Sequence, residues 1–148
     1  VNSIGSSKSA TEEAAGLAQA DVTAASVMLD SKGTIVGISF DVVQTKVNFD
    51  ATGTITTDLA TKFKTKKELK EDYNMKPASP IGKEWYEQID ALEKYALGKA
   101  AADFVATPTK AKDEHHTAVP DVEDLASSCT MDIGDFLAAA EKAVANAK

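Results

Sequence analysis

Apolar positions between residues 21 and 57 follow a period of two, which is the strongest local pattern in the chain. Large apolar residues take every second place in the middle of this segment: Val36, Ile38, Phe40 and Val42. Smaller or more polar residues separate them, so one face is expected to lie on a core and the other to remain more polar. The pattern predicts antiparallel β-strands.

Two turns of the same form punctuate these strands. Asp30-Ser31-Lys32-Gly33 and Asp50-Ala51-Thr52-Gly53 both open with Asp and close with Gly. The Asp side chain can bond its own backbone, and Gly accepts a positive φ without strain. With these turns as boundaries, the predicted strands cover positions 22–29, 34–42, 45–49 and 54–57, and positions 1–4 form a short edge strand.

Helical periodicity dominates the second half of the chain. Thr65 and Glu68 form the pattern of a capping box for a short helix over 66–73. Ser79 and Pro80 suit a helix start and Gly98 a helix stop, and an apolar stripe lies between them: Trp85, Ile89, Leu92 and Ala96. Trp85 is therefore expected to anchor the core rather than to face a ligand. A further turn or two is predicted over 99–105, and a last helix, capped by Asp132, over 133–147.

These elements predict an α+β fold, an antiparallel sheet of four to six strands with helices packed against it. The length of 148 residues suits a single domain over 1–148, with a mobile loop at 6–16. A second loop is predicted over 107–120, where two prolines enclose the pair His115 and His116. An exposed or structural role for the two histidines is favoured over metal binding, because further ligands would have to come from Asp113, Glu114 or elsewhere.

Charge argues against nucleic acid as a partner. The net charge is −7, and all sixteen basic residues are lysine. The chain therefore lacks the guanidinium group that grips phosphate with two parallel hydrogen bonds. Six lysines nevertheless crowd one segment: Lys62, Lys64, Lys66, Lys67, Lys70 and Lys76. A solvated surface helix accounts for them, and the alternative is a basic rim for an anionic ligand.

Catalytic motifs are absent from the sequence. There is no glycine-rich phosphate loop and no nucleophile elbow. The single cysteine, Cys129, is expected to be a small buried residue, and a nucleophile paired with His115 or His116 is the sharper alternative. No apolar run is long enough for a membrane span and no signal peptide is visible. Because Val1 is not a natural start, the chain is expected to begin after such a segment.

One short motif resembles a known family. Asp124-Leu125-Ala126-Ser127-Ser128-Cys129-Thr130, just before the last helix, is similar to the Asp-x-x-Ser-Gly-Ala-Thr signature of extracytoplasmic FMN-binding domains. The order of strands, Asp-x-x-Gly turn, middle helices, signature and closing helix is also similar. More closely, the whole chain resembles a group of uncharacterised Gram-positive lipoproteins. That resemblance rests on four motifs: Gly16-Leu17-Ala18-Gln19, Gln44-Thr45-Lys46-Val47-Asn48-Phe49, Phe63-Lys64-Thr65-Lys66-Lys67-Glu68-Leu69 and Ile81-Gly82-Lys83-Glu84-Trp85.

The resemblance implies a cofactor site at Asp124, Ser127, Ser128 and Thr130. In the FMN-binding family a separate transferase esterifies the last threonine of the signature to the FMN phosphate, and the matching residue here is Thr130. A phosphate at this place would lie near the start of a helix. Two positions depart from the signature, because Ser128 replaces glycine and Cys129 replaces alanine. Asp132 and Asp135 also place negative charge nearby.

The resulting expectation is a non-catalytic binding domain that works outside the cytoplasm. It would hold a flavin for electron transfer at the cell surface and would be tethered to the outer face of the membrane through a lipid anchor upstream of Val1. The alternative is a structural or protein-interaction module that has kept the scaffold without the cofactor. In that case its partner would bind the lysine-rich segment 62–76.

Overall fold

The structure, a computed structural model, describes residues 1–147 and has an α+β architecture. Three strands form the main antiparallel sheet in the order β1-β2-β3: β1 (Asn2–Ser3), β2 (Gly16–Leu29) and β3 (Ile35–Phe49). A separate antiparallel pair consists of β4 (Thr109–Lys110) and β5 (Val119–Pro120). The predicted class is confirmed, whereas the five strands form two sheets instead of one sheet of four to six.

The long hairpin of β2 and β3 dominates the sheet. Its register pairs Gly16 with Phe49 at the open end and Val27 with Ile38 near the turn. The predicted strands 34–42 and 45–49 are therefore one continuous strand. The predicted strand 54–57 is reduced to a single bridge between Ile55 and Phe49. At Gly16 a Cβ atom would overlap the Phe49 ring, so the close approach of these two residues requires glycine.

A register shift beside the turn changes which apolar residue enters the core. Met28 pairs with Gly37 and Leu29 with Ile35, so Val36 is the extra residue of a bulge. Val36 is consequently 52% exposed, and Ile35 is 1% exposed. The prediction that Val36 shares the core face with Ile38, Phe40 and Val42 was wrong for this residue.

Both Asp-x-x-Gly turns form as predicted. Gly33 and Gly53 adopt φ values of +78° and +85°. Asp30 Oδ1 accepts hydrogen bonds from the amides of Lys32 and Thr34, and Asp50 Oδ1 does the same for Thr52 and Thr54. The amide bonds lower the pKa of the Asp30 carboxyl group, whereas the pKa of Asp50 is lowered first by the Thr52 hydroxyl, which donates to Oδ1 at 2.7 Å, and then by the amides.

Five α-helices follow the hairpin: α1 (Lys66–Leu69), α2 (Trp85–Ala96), α3 (Ala101–Val105), α4 (Glu123–Ala126) and α5 (Gly134–Asn146). Two 3₁₀ turns, Lys70–Tyr73 and Lys76–Ala78, connect α1 to α2. The predicted capping box is present, with the Glu68 amide bonded to Thr65 Oγ1 and the Thr65 amide bonded to Glu68 Oε2. Gly98, just after α2, has a φ of +80°, as expected for a residue that ends a helix.

Helix α2 begins later than the sequence predicts. Positions 79–82 form a turn in which the Gly82 amide bonds the Ser79 carbonyl, and Gly82 has a φ of +62°. The helix starts only after Glu84, whose buried carboxylate accepts the amides of Met75 and Lys76. Ser79 is therefore a turn residue and not the helix cap.

The core lies between one face of the hairpin and helices α2, α3 and α5. We call this side of the sheet the inner face. Phe40 packs on Phe104 of α3 and Phe136 of α5, with ring centroids 6.3 and 5.6 Å apart. Trp85 packs on Phe136 at 6.1 Å and is 3% exposed, which confirms its predicted place in the core.

Short segments of paired backbone lie within the two predicted loops. Lys8 in the 6–16 segment exchanges two backbone hydrogen bonds with Leu17 of β2. The β4–β5 pair lies within the segment 107–120. Helix α5 starts one residue after the predicted position, and Asp132 Oδ1 accepts the amide of its first residue, Gly134.

Candidate functional site

A cleft opens where the helices stop covering the inner face of the hairpin. Its volume is about 650 Å³. Residues of β2 and β3 form its floor, the segment from Lys66 to Trp85 forms one wall, and the segment around Thr130 forms another. Because the period of two continues along the strands, the floor residues lie on the same face as Phe40 and Val42.

The floor is polar and internally hydrogen bonded. Asp21 accepts hydrogen bonds from Gln19 Nε2 at 2.8 and 3.0 Å and from Gln44 Nε2 at 2.9 Å. Gln19 is only 6% exposed. The two side-chain amides hold the Asp21 carboxylate in place and occupy three of the hydrogen bonds that it can accept. This group is absent from the predicted site. The sequence does mark this polar group, because Gln19, Asp21 and Thr23 are polar residues at alternate positions of a strand whose other inward-facing residues are apolar.

An aromatic wall stands beside this floor. The rings of Tyr73 and Trp85 are 6.5 Å apart at an angle of 67°, and both line the cleft. The Lys66 ammonium lies 4.6 Å from the Tyr73 ring centroid and 5.4 Å from that of Trp85. Both distances are within the range of cation–π attraction.

Lys66 is the cation most deeply placed in the cleft wall. Burial lowers its pKa to about 8, and the Asp21 charge opposes that shift. Burial also raises the pKa of Tyr73. Of the six lysines in the 62–76 segment, Lys66 alone lines the cleft. Lys67 instead forms an ion pair with Glu93 at 2.5 Å.

Gln88 connects the cleft to the signature motif. Its side chain, 1% exposed, accepts hydrogen bonds from the Thr130 amide at 2.9 Å and the Thr130 hydroxyl at 3.3 Å. Its Nε2 donates to Ser79 Oγ and to the Lys83 carbonyl. One buried side chain thus joins α2, the 79–83 turn and Thr130, and every polar atom of the amide has a partner.

The signature residues do not converge on one place. Thr130 lines the main cleft, whereas Asp124 and Ser128 line a second cleft of about 530 Å³ beside α2. Ser127 is exposed and ends α4. The structure therefore brings Thr130 together with Gln88, Lys66 and Trp85, and separates it from the other three predicted site residues. A ligand role for these four residues remains a prediction.

The two departures from the signature have simple local explanations. Ser128 Oγ donates to the Leu125 carbonyl at 3.2 Å, so its side chain completes the end of α4. The backbone of Ser128 does not have a positive φ. Cys129 is fully buried, and burial raises its pKa to about 11. The proposal of a Cys129 nucleophile is wrong, because the thiol is inaccessible and its thiolate is disfavoured.

Acidic groups and histidines occupy the remaining rim. Asp132 Oδ2 accepts the Ala118 amide and its Oδ1 accepts the Gly134 amide, so both oxygens are engaged. His116 Nδ1 contacts Asp113 at 2.8 Å, and this contact lowers the pKa of Asp113. His115 and His116 are both exposed. Within residues 1–147, no group of three or more His, Cys, Asp or Glu side chains is arranged to hold a metal ion.

No helix in the described part of the chain combines the length and apolarity needed to cross a bilayer.

Comparison with known proteins gives one curated relative. A protein named chlorophenol reductase from Desulfitobacterium hafniense is 32% identical over 95 residues, which is 56% of this chain and 29% of the relative. The chain thus spans less than a third of the length of this relative. No protein-family model matches the chain. No solved structure matches it either.

Proposed function

We propose that this chain is a non-catalytic binding domain whose cleft takes flavin mononucleotide for electron transfer outside the cytoplasm. The observation that carries the proposal is the position of Thr130. Thr130, which matches the last residue of the FMN-attachment signature by resemblance, lies in a cleft of about 650 Å³ that also holds an aromatic wall and a partly buried lysine. This volume is typical of clefts that hold small ligands.

The side chains around Thr130 fit the chemistry of FMN. Tyr73, which is half-buried, would contact the planar ring system, and Trp85, 3% exposed, would support the Tyr73 ring from the core. The hydrogen-bonded Asp21 and Gln44 would form the polar floor of the site. Lys66 would supply positive charge for an anionic part of the ligand. When bound, FMN would supply the electron-carrying chemistry, and this chain would bind it, orient it and limit its contact with water.

The serine that replaces the signature glycine leaves the Thr130 cleft open. Ser128 lines the second cleft and bonds the Leu125 carbonyl. Thr130 keeps its hydroxyl within hydrogen-bond distance of Gln88 Oε1, and an ester at Thr130 would remove only this bond, because the Thr130 amide also bonds Gln88. This geometry supports both covalent and non-covalent binding of FMN.

The experiment is an absorbance spectrum and an intact mass of protein made in its own host or together with a flavin transferase. We expect a yellow protein whose intact mass exceeds that of the polypeptide by one bound FMN. Thr130→Ala should abolish the added mass, and Thr61→Ala, a change of an exposed threonine outside the cleft, should leave it intact. Protein that remains colourless and shows no thermal shift in excess FMN would contradict the proposal.

The same proposal includes an FMN-binding-domain-like fold and an anchor on the outer face of the cell membrane. The lipoprotein resemblance supports this location. Labelling intact cells with a membrane-impermeant lysine reagent tests it, because exposed lysines such as Lys32, Lys62 and Lys64 would carry the label only on a surface protein. An unlabelled chain in intact cells that becomes labelled after lysis would place the protein inside the cell.

The relative contributes less to this proposal than the cleft does. Its name describes a chlorophenol reductase, and 29% of its length aligns with this chain. A domain that carries electrons would be compatible with such an enzyme. The name does not say which group the aligned region binds, so the flavin proposal depends on Thr130 and its surroundings.

The second candidate is a cofactor-free interaction module. The observation that favours it is the outer face of the hairpin, where three apolar side chains are exposed: Val22 at 39%, Met28 at 65% and Val36 at 52%. Charge reversal at Lys62 and Lys64, two exposed residues of the lysine-rich segment, should weaken capture of an envelope partner if that segment is the contact. Unchanged capture would exclude this segment.

A further inference from the structure

We propose that Lys66 is the anion-binding residue of the cleft and that it selects a planar aromatic ligand carrying a phosphate-like oxyanion. This inference rests on the proposed function of the cleft and names the residue that recognises the charged part of the ligand. It refines the role of the lysine-rich segment, since the other lysines of that segment lie outside the cleft.

The Lys66 ammonium has no hydrogen-bond acceptor among residues 1–147. Its neighbours are the rings of Tyr73 and Trp85. The nearby carboxylate, Asp21, accepts three hydrogen bonds from Gln19 and Gln44 and forms no ion pair with Lys66. A partly buried ammonium without an acceptor is costly, and an incoming oxyanion would remove that cost.

The aromatic wall fixes the position of the Lys66 ammonium. Cation–π contacts with two rings hold the ammonium against the aromatic wall, so it is already oriented when a ligand arrives. A planar ligand that packs on the same wall would bring its charged substituent to Lys66. The aromatic body and the anionic group are therefore recognised together.

Lys66 and Thr130 contact neighbouring residues of α2. Lys66 contacts Trp85, and Thr130 forms a hydrogen bond with Gln88. Trp85 and Gln88 are three residues apart on α2. Side chains at this spacing are neighbours on one helix face. Lys66 and Thr130 thus flank one stretch of α2. A phosphate between them would meet a cation that offsets the charges of Asp132 and Asp135 on the rim.

The test compares ligands that differ by one phosphate. Protein made without a flavin transferase is titrated by calorimetry with FMN and with riboflavin, and in a second pair with phenyl phosphate and phenol. The wild type should favour the phosphorylated member of a pair by about tenfold or more. Lys66→Met should lose this preference, Lys66→Arg should retain part of it, and Lys64→Met should behave as the wild type.

The outcomes separate the two proposals. A preference for phenyl phosphate that depends on Lys66, with no binding of either flavin, would support the role of Lys66 and reject FMN as the ligand. A phosphate preference that survives in Lys66→Met would overturn the role of Lys66 while leaving FMN binding intact. Absence of any phosphate preference in both pairs would also overturn it.

Discussion

The two ends of the inner face of the β2–β3 hairpin have the same backbone and opposite chemistry. At the covered end, Phe40 and Ile35 lie under α3 and α5 and are fully buried. At the open end, Asp21 and Gln44 continue the same alternation and form the cleft floor, and buried Gln19 donates to Asp21. The alternation therefore marks the inner face, whereas the helices above it decide which part becomes core and which becomes cleft.

The largest expected effect is at the covered end. Phe40→Ala removes a ring that is 0% exposed and contacts both Phe104 and Phe136. The cavity should lower the free energy of unfolding by about 3–5 kcal/mol. Urea denaturation checks this value. A loss below about 1 kcal/mol would mean that the two ends of the inner face do not differ in packing as described.

The next effect lies at the boundary between core and cleft. Gln88→Met removes all the hydrogen bonds that this buried side chain makes to Ser79, Lys83 and Thr130. The Ser79 hydroxyl, the Lys83 carbonyl and the Thr130 amide should each lose a hydrogen-bond partner. The free energy of unfolding should therefore fall by about 2–3 kcal/mol.

Thr130→Val is the matched control for this boundary. It keeps the 2.9 Å bond of the Thr130 amide to Gln88 and loses only the hydroxyl bond at 3.3 Å, so a loss of about 1 kcal/mol or less is expected by the same denaturation assay. Equal losses for Gln88→Met and Thr130→Val would show that Gln88 does not organise the segments around it.

The contribution of Lys66, in the cleft wall, to the free energy of unfolding should depend on pH. The pKa of Lys66 is about 8 in the folded chain and its ordinary value is 10.5. Between these values the unfolded chain binds more protons, so the stability of the wild type relative to Lys66→Met should rise as the pH increases through this range. Urea denaturation at pH 7 and pH 9.5 measures the change. Lys64→Met, which alters an exposed lysine, should show no such trend.

The smallest effect is expected on the cleft floor. Gln44→Leu removes one amide bond to Asp21, while Gln19 still donates to both oxygens of that carboxylate. Because water can replace the lost donor in an open cleft, the free energy of unfolding should change by less than about 1 kcal/mol. A loss as large as that of Phe40→Ala would show that the floor is part of the core.

Local chemistry explains which parts of the fold were predictable. The Asp-x-x-Gly turns, the Thr65–Glu68 capping box and the stop at Gly98 each depend on residues within a few positions of one another. The apolar stripe with Trp85 was also visible, because helical spacing marks a buried face wherever the helix begins.

The errors arise where distant residues decide the structure. Helix α2 begins after Glu84 because its carboxylate binds amides of Met75 and Lys76, a contact that no local motif announces. The bulge that expels Val36 depends on pairing with Met28 and Leu29. In both cases the tertiary contact overrides a favourable local pattern.

The candidate site was predicted only at Thr130. Lys66 belongs to a run of lysines that look equivalent in sequence, and only the packing of Tyr73 and Trp85 singles it out. Asp124, Ser127 and Ser128 follow the signature in sequence but lie away from the Thr130 cleft. A motif identifies residue types in order, whereas the fold decides which of them share a surface.

The most direct test of the central claim is to map where FMN binds by nuclear magnetic resonance. Adding FMN to ¹⁵N-labelled protein should shift the Trp85 indole signal, the Thr130 amide and the Gln44 side-chain amide, all of which lie in the main cleft. Signals from Ala91 and Tyr95 in the second cleft should stay in place. Shifts confined to the second cleft, or no shifts at millimolar FMN, would contradict the account.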